Sequence, residues 1–235
     1  MLKYHLDHSD PYDVVIVGDD AALRFAMAFR EELFDDIPIV FEGVNDEEYA
    51  LEAAKNPLVT GILEKLSVEK NIDMALKVNP SADKVVAILD DSVTGEAERK
   101  NFYSAKATYP ELEFSEINSS ELTTAKLQQA FSKLDENTIL IYIVMSNDGS
   151  GKQYTNAQAI RMLVTYSKVP VYRMVEDGIG EGLLGGNVVS MYKSGEIAAQ
   201  MAMDIANGTD SAEINVVKDS PNIYCVDEDV MRKFG

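Results

Sequence analysis

Val85-Val86-Ala87-Ile88-Leu89-Asp90-Asp91-Ser92 is an apolar run that ends abruptly in three polar residues. A continuous apolar run of this length predicts a strand buried on both faces, as in a parallel sheet covered by helices. Comparable runs recur along the chain, and amphipathic segments with helical spacing lie between them. This alternation predicts an α/β fold with parallel sheets and right-handed crossovers. The further runs span residues 14–17, 37–41, 58–62, 139–144 and 169–172, and the helical segments span 20–33, 67–78, 95–108, 120–133, 155–167 and 191–206.

The spacing of these runs predicts two Rossmann-like lobes, each with its own parallel sheet. The first runs are followed by a long acidic stretch, and a regular series of strand and helix units begins again near Val85 and continues to Tyr172. A glycine-rich passage over 178–186 then precedes one more strand and helix. We therefore expect an N-terminal lobe built from residues 1–65 and 176–212, and a C-terminal lobe built from residues 66–175 and 213–235.

Charge and composition exclude several classes of function. The chain has 235 residues with 21 Lys and Arg against 40 Asp and Glu, a formal net charge of −19. Such a chain repels nucleic acid and anionic membrane surfaces, whose binding depends on basic groups. The single cysteine, Cys225, excludes an intrachain disulfide and a cysteine-based zinc site. No apolar run approaches the ~20 residues of a membrane span, and residues 1–13 lack the apolar stretch of a signal peptide.

Polar residues follow the predicted strands at the points where ligands bind to open parallel sheets, the carboxyl ends of the strands. Their carboxylates and hydrogen-bonding groups suit a small polar or amine-bearing ligand. Arg173 and the helix N-termini could equally bind a carboxylate. The alternative is that each residue only caps the helix that follows it. These polar segments are 18–20, 42–45, 90–92, 146–148 and 173–177.

Signals for catalysis or metal binding are weak. The histidines, His5 and His8, lie in the polar N-terminal segment, a poor basis for a Ser-His-Asp triad. Residues 149–152 depart from the phosphate-loop pattern and predict a turn, and residues 178–182 predict a connection and not a dinucleotide fingerprint. Adjacent carboxylates leave a divalent cation or an acid/base pair as a minor alternative; they are the pairs 19–20, 35–36 and 90–91. We expect no catalytic residue, no metal and no cofactor.

Several segments in sequence order resemble one known family. The segments 13–22, 34–45 and 59–62 in the first half, and 170–172, 185–190 and 220–224 in the second, are similar to the ABC-transporter substrate-binding proteins of the type I periplasmic-binding fold. The second-half segments look like the versions that serve as extracellular sensor domains of histidine kinases or diguanylate cyclases. The similarity extends from about Asp13 to Gly235. Each motif is short and apolar, so the resemblance depends on their order and spacing.

The resemblance implies an exported receptor that closes two lobes on a small solute and has no catalytic residues. We expect an extracytoplasmic sensor domain of a membrane signalling protein, with an amino acid or similar small metabolite as its ligand. One alternative is the substrate-binding protein of an ABC transporter, which delivers solute to a permease; another is an α/β enzyme that uses its strand-end carboxylates. By the family pattern the ligand-binding residues are Asp19, Asp20, Gly43, Asn45, Asp91, Thr94, Gly95, Ser146, Asn147, Glu176 and Asp177.

The N-terminus departs from the family pattern. A full domain of this type begins with a further β-α-β-α stretch, and this sequence starts near the end of its second helix. We expect the first lobe to lack two strands and to expose a hydrophobic edge. Either the sequence is part of a longer chain, with its signal or membrane anchor elsewhere, or another element covers the edge, such as a second copy in a homodimer.

Overall fold

A computed structural model describes residues 2–8 and 11–234, and its fold is α/β, as the alternating pattern predicts. The described residues form two compact units: a smaller unit of residues 2–8, 11–65 and 189–221, and a larger unit of residues 66–188 and 222–234. In chain order the elements are α1 (Leu2–Asp7), β1 (Val15–Gly18), α2 (Asp19–Ala28), β2 (Ile39–Val44), α3 (Glu47–Ala53), β3 (Val59–Leu63), α4 (Val68–Val78), β4 (Lys84–Leu89), α5 (Val93–Ser104), β5 (Glu113–Asn118), α6 (Thr124–Ser132), β6 (Thr138–Tyr142), α7 (Asn156–Tyr166), β7 (Val171–Arg173), β8 (Gly185–Val188), α8 (Met191–Ala206), β9 (Ile223–Val226) and α9 (Glu228–Phe234).

The smaller unit is a parallel sheet of order β1-β2-β3 with helices on both faces. On one face, Leu23 and Ala26 of α2 pack with Phe41 of β2. On the other face, Val40 packs in one cluster with Ala198, Met201, Ala202 and Ile205 of α8. Because β2 is covered on both faces, its side chains are apolar from Ile39 through Phe41, as a buried parallel strand requires.

The larger unit is a six-stranded sheet of order β5-β4-β6-β7-β8-β9, parallel except for β9, which runs antiparallel to β8. Successive residues of β4 face opposite cores, which is the two-residue period of a strand. Val85, Ala87 and Leu89 pack with α4, α5 and α9. Val86 and Ile88 pack with α6 and α7.

The chain passes between the units after residues 65, 188 and 221. The first crossing is where the sequence analysis predicts it. The second and third crossings were predicted after residues 175 and 212, which is 13 and 9 residues earlier than in the structure. Residues 176–188 belong to the larger unit because Gly185–Val188 forms β8 of its sheet, and residues 213–221 belong to the smaller unit.

Several elements differ from the sequence patterns, and β9 and α9 have no counterpart among them. The helix predicted over 20–33 ends at Ala28, and a π-helical turn at Arg30–Phe34 follows, closed by a bond from the Asp35 N–H to the Arg30 carbonyl. Strand β5 was missed because Glu-Phe-Ser-Glu-Ile-Asn lacks the continuous apolar run. It is an edge strand that pairs only with β4 among the described strands, so polar residues are tolerated along it.

Asn71 of α4 fixes the position of β8. Its side chain is fully buried; Nδ2 donates to the carbonyls of Ser67 and Asn187, both at 2.8 Å, and Oδ1 accepts from the N–H of Asn187 at 3.0 Å. Gly186 lies so close that a Cβ there would be 1.8 Å from the Asn71 Oδ1. The end of the sheet therefore depends on an asparagine facing a glycine.

We predict that Asn71→Leu lowers the free energy of unfolding by about 2–4 kcal/mol, because it leaves the buried N–H and carbonyl of Asn187 without partners. Urea unfolding monitored by circular dichroism measures the loss. Asn79→Ala is the control: its bond to the Glu136 carbonyl lies at the surface, where water replaces it. An Asn71→Leu variant as stable as the control would contradict this role.

Candidate ligand-binding residues at the strand ends

The predicted residues of the smaller unit meet at the carboxyl ends of its strands. The carboxylate of Asp20 accepts from the backbone N–H of Asn45 at 3.2 Å and of Asp46 at 3.0 Å, which ties the start of α2 to the loop after β2. Asp19 precedes it with a φ of 79°, a left-handed conformation that Asp tolerates better than most residues. Its side chain is exposed.

Asn45 extends this group to the third strand. Its Nδ2 lies 3.3 Å from both the backbone carbonyl and Oε1 of Glu64, directly after β3. Gly43 has a φ of 64°, which favours glycine, and a Cβ there would lie 3.6 Å from the Asp19 nitrogen. We call this group the smaller-unit cluster, and its members are Asp19, Asp20, Glu42, Gly43, Asn45, Asp46 and Glu64.

The smaller-unit cluster is rich in carboxylates. Asp46 contacts Arg24 and caps α3 by accepting from the Tyr49 N–H at 3.0 Å. The sequence analysis did not include Asp46 and Glu64 among the candidate residues. Asp46 lies in the short loop between β2 and α3, and Glu64 directly follows β3. The surplus of negative charge makes this cluster suited to an ammonium group.

In the larger unit, the buried carboxylate of Asp90 organises the end of β4. It accepts four hydrogen bonds: from the N–H and Oγ of Ser92 at 3.0 and 2.5 Å, and from the N–H and Oγ of Ser146 at 2.8 and 2.5 Å. Burial raises the pKa of Asp90, but the bonds from Ser146 and Ser92 outweigh it, so the net pKa lies below its ordinary value. Asp90 is therefore a structural group that is charged at neutral pH and holds Ser146 in place.

A chain of hydrogen bonds runs beside Asp90 along the ends of three strands. Asp91 accepts from Asn118 Nδ2 at 2.8 Å, and its N–H donates to Ser120 Oγ at 3.0 Å. Ser120 Oγ in turn donates to Asn147 Oδ1 at 2.8 Å. The structure thus brings Asp91, Ser146 and Asn147 together, and it adds Asn118 and Ser120. We call these five residues with Asp90 and Ser92 the larger-unit cluster.

Thr94 and Gly95 lie in the first turn of α5, next to this cluster. Thr94 is exposed. Gly95 is buried, and its N–H donates to Ser92 Oγ at 3.1 Å. A Cβ at residue 95 would lie 2.1 Å from the Asp90 carbonyl oxygen, so glycine is required for α5 to begin this close to β4.

Glu176 and Asp177 belong to a separate group after β7. Asp177 Oδ2 accepts from Arg173 Nη2 at 3.1 Å and from Asn156 Nδ2 at 2.5 Å. Arg173 is buried, its Nη1 donates to the carbonyls of Tyr142 and Ile143, and its guanidinium lies over the Tyr142 ring. Glu176 is exposed. Since the Arg173 guanidinium is already bound by carbonyls and a carboxylate, its role in this structure is to hold the end of β7.

The segment 149–152 is a turn, as predicted, and Asp148 holds it. Its carboxylate accepts from the N–H groups of Ser150 and Lys152 and from the hydroxyls of Thr124 and Tyr154. The hydroxyls of Ser150 and Thr124 are the main reason that the pKa of Asp148 lies well below its ordinary value. Because these donors already bind the Asp148 carboxylate, they are not free to bind a phosphate.

Within residues 2–8 and 11–234, no three His, Cys, Asp or Glu side chains are placed to hold a metal ion together. Over the same residues, no helix has both the length and the apolar character to cross a bilayer. His8 contacts Tyr4, whose ring stacks on it and whose carbonyl lies 2.8 Å from His8 Nδ1.

Two α/β units with parallel-dominated sheets and polar strand ends define the class of type I periplasmic-binding proteins. The model of the family described as "ABC transporter substrate binding protein" matches residues 9–235, and the chain belongs to this family.

Known relatives are distant in sequence. A "Tyrosine-binding protein" from Clostridioides difficile is 22% identical over 204 residues, which are 84% of this chain and 56% of that protein, so the chain spans little more than half of that relative's length. A ligand-free, open substrate-binding protein with adhesive properties from Clostridium difficile has a TM-score of 0.73 and 18% identity, and the match covers 98% of this chain and 75% of that one. An ABC domain from Streptococcus pneumonia in complex with L-Trp has a TM-score of 0.66 and 16% identity, covering 99% and 78%. At these identities the structural matches establish the fold.

We predict that Asp90→Asn lowers the free energy of unfolding at pH 7 by about 2 kcal/mol, since a neutral amide replaces an acceptor of four bonds. Because the folded pKa of Asp90 is depressed, its contribution is complete above the ordinary Asp pKa of about 3.9 and is lost as the pH falls through the folded value. The difference between wild type and variant should therefore be the same at pH 7 and pH 5 and should narrow as the pH falls below about 4.

Urea unfolding at pH 7, 5 and 3.5 measures this difference. Asp83→Asn, an exposed position directly before β4, serves as the control and should change the pH 7 value by less than about 0.5 kcal/mol. A constant difference between wild type and Asp90→Asn at all three pH values would exclude a charged Asp90 as the organising group.

Proposed function

We propose that the chain is the amino-acid-binding component of an ABC transporter, an extracytoplasmic receptor that binds its solute without chemical change. The observation that carries this proposal is the family match over residues 9–235. Substrate-binding proteins of this family act outside the cytoplasm and hand their solute to a permease. The family and the relatives favour this alternative over a sensor domain, and the sensor role stays a prediction.

The chemistry of the strand ends supports an amino acid as the solute. The smaller-unit cluster offers carboxylates to an ammonium group, with Asp19 exposed at its edge. In the larger-unit cluster, Asn147 Oδ1 already accepts a hydrogen bond from Ser120 Oγ. The Nδ2 amide of Asn147 is therefore the group that can donate to a ligand oxygen. An amino acid carries both complementary groups, a cationic amine and an anionic carboxylate.

The relatives support the same ligand class. The curated relative is named for tyrosine, and one protein of the same fold was solved with L-Trp. We therefore take L-tyrosine and L-tryptophan as the first probes, followed by the other natural amino acids. The eleven ligand-binding residues expected from the sequence remain part of the proposal, with Asp19, Asp91 and Asn147 as the residues best placed to contact a solute.

Two carboxylates of the larger unit, Asp90 and Asp148, are not poised for acid or base catalysis. A general acid or base works best with a pKa near the working pH. The pKa values of Asp90 and Asp148 are instead shifted downward by hydrogen bonds, so both stay ionised and cannot exchange a proton at neutral pH. Groups of this kind orient a ligand and its surroundings.

We predict that at least one L-amino acid raises the melting temperature of the chain. Binding at ~100 times the dissociation constant adds ~2.7 kcal/mol, which is a rise of roughly 5–10 °C for a protein of this size. Differential scanning fluorimetry identifies the ligand, and isothermal titration calorimetry then measures its affinity.

The residue assignment is tested with the identified ligand. Asp19→Asn keeps a side chain that tolerates a positive φ and removes only the charge, and Asn147→Ala removes the free amide donor. Each should weaken binding about tenfold or more, as expected when a hydrogen bond to a charged group is lost. Asp83→Asn should bind like wild type. If no amino acid binds the folded protein, the ligand class is wrong; if both variants bind like wild type, the residue assignment is wrong.

A further inference from the structure

Arg99 of α5 lies beside the larger-unit cluster and binds three carboxylates. Its Nε donates to both carboxylate oxygens of Glu116 in β5, at 3.0 and 3.1 Å. Its Nη1 donates to Glu96 in α5 at 2.5 Å. Its Nη2 donates to Asp91 Oδ1 at 3.1 Å and to the Asp90 carbonyl oxygen at 3.3 Å. One guanidinium therefore connects α5, β5 and the segment that follows β4.

These contacts hold the guanidinium of Arg99 in one orientation. The side chain is 18% exposed, and its partner Glu116 is similarly covered. The five donors of a guanidinium form a fixed planar fork, so bonds from different nitrogens to different partners determine the plane of the group. The bonds from Nε and Nη1 therefore determine where Nη2 lies, and Nη2 is the nitrogen that binds Asp91.

The carboxylate of Asp91 is bound at one oxygen only. Oδ1 accepts from Arg99 Nη2 and from Asn118 Nδ2, the latter at 2.8 Å. Among the residues that the structure describes, no donor binds Oδ2. The Asp91 N–H donates to Ser120 Oγ, so the backbone is held as well, while the side chain is half-exposed. Oδ2 is therefore an oriented oxygen that can accept a hydrogen bond from a solute.

The charge around Arg99 stays negative despite its guanidinium. One positive charge is shared by the carboxylates of Asp91, Glu96 and Glu116, so three negative charges face one positive charge. A hydrogen bond between a carboxylate and a cationic donor is stronger than one with a neutral donor. This surplus of negative charge makes Oδ2 of Asp91 suited to an ammonium group.

We propose that Arg99 is a positioning residue for ligand binding: together with Asn118 it holds Oδ1 of Asp91, so that Oδ2 accepts from the ammonium group of the bound amino acid. A carboxylate that is already oriented loses less side-chain freedom when the ligand binds, and binding is tighter for that reason. Arg99 acts through Asp91, since each of its three nitrogens donates to a protein oxygen. The inference rests on the proposed function, because it assigns Asp91 to the ligand.

Arg99→Lys tests this role without a change of charge. A lysine ammonium lacks the planar fork and cannot bind Glu116, Glu96 and Asp91 in the same way, so Asp91 regains rotamer freedom. The affinity for the amino acid, measured by isothermal titration calorimetry, should fall about two- to tenfold, which corresponds to the cost of immobilising one side chain.

Arg161→Lys is the matched control. Arg161 is an exposed arginine of α7 in the same unit, and within residues 2–8 and 11–234 its side chain makes no ion pair. This variant should bind the amino acid like wild type. Circular dichroism and urea unfolding verify that each variant is folded.

A double-mutant cycle separates positioning from a general structural effect. Asp91→Asn should weaken binding about tenfold or more, since it removes the charged acceptor. Adding Arg99→Lys to Asp91→Asn should weaken binding no further, because both residues act on the ligand through the same carboxylate. A distortion elsewhere in the unit would instead weaken binding by the same factor whether residue 91 is Asp or Asn.

A measurement on the ligand-free protein tests the positioning by itself. Three-bond NMR couplings from Asp91 Cγ to the backbone nitrogen and carbonyl carbon show whether the side chain keeps one χ1 rotamer. We expect one rotamer in wild type and in Arg161→Lys, and averaged couplings in Arg99→Lys.

Three outcomes would overturn the inference: averaged couplings in wild type, wild-type affinity in Arg99→Lys, or an equal loss from Arg99→Lys with Asp and with Asn at residue 91. If wild type binds no amino acid, the proposed function is wrong, and the couplings alone then decide whether Arg99 holds Asp91.

Discussion

Asp90 carries its charge inside the larger unit, where an unpaired carboxylate would be very costly. Four hydrogen bonds from Ser92 and Ser146 offset that cost, and they do so only if the start of α5 and the loop after β6 both reach the end of β4. Gly95 allows the close approach of α5, because any side chain there would collide with the Asp90 carbonyl. The positions of Ser146 and Asn147 follow from this constraint. The buried residue that organises the cluster is therefore distinct from the exposed residues proposed to contact a ligand.

The smaller unit reaches a similar arrangement by a different route. There the organising carboxylate, Asp20, accepts backbone N–H groups from the loop after β2, and the neighbouring Asp19 adopts a left-handed conformation. A strained backbone at a strand end is a common feature of binding sites. In both units one aspartate of an adjacent pair binds a neighbouring loop and the other is exposed, although the exposed Asp91 of the larger unit also binds Arg99 and Asn118. This division of roles explains why sequence-adjacent carboxylates recur at strand ends without forming a metal site among the described residues.

The apolar runs in the sequence correctly predicted the strands that are buried on both faces. Strands β4 and β6 are continuous apolar runs because both of their faces are covered, and they occur close to the predicted positions. Strand β5 was missed because an edge strand has no such requirement, and Asn118 and Ser120 were missed as site residues with it. The lobe boundary after residue 175 was placed by a glycine-rich passage, yet β8 follows that passage and still belongs to the larger sheet, held by Asn71. Such long-range contacts leave no local signal in a sequence.

Hydrogen bonds also fix the charge of two carboxylates of the larger unit at neutral pH. Donors around Asp90 and Asp148 stabilise the ionised form and lower both pKa values, whereas catalytic carboxylates are tuned toward the working pH by burial or like charge. Tyr142, whose ring packs under Arg173, has a pKa raised to about 12 by burial, so it is also fixed in one protonation state at neutral pH. Groups that keep one charge state near neutral pH provide a constant electrostatic environment.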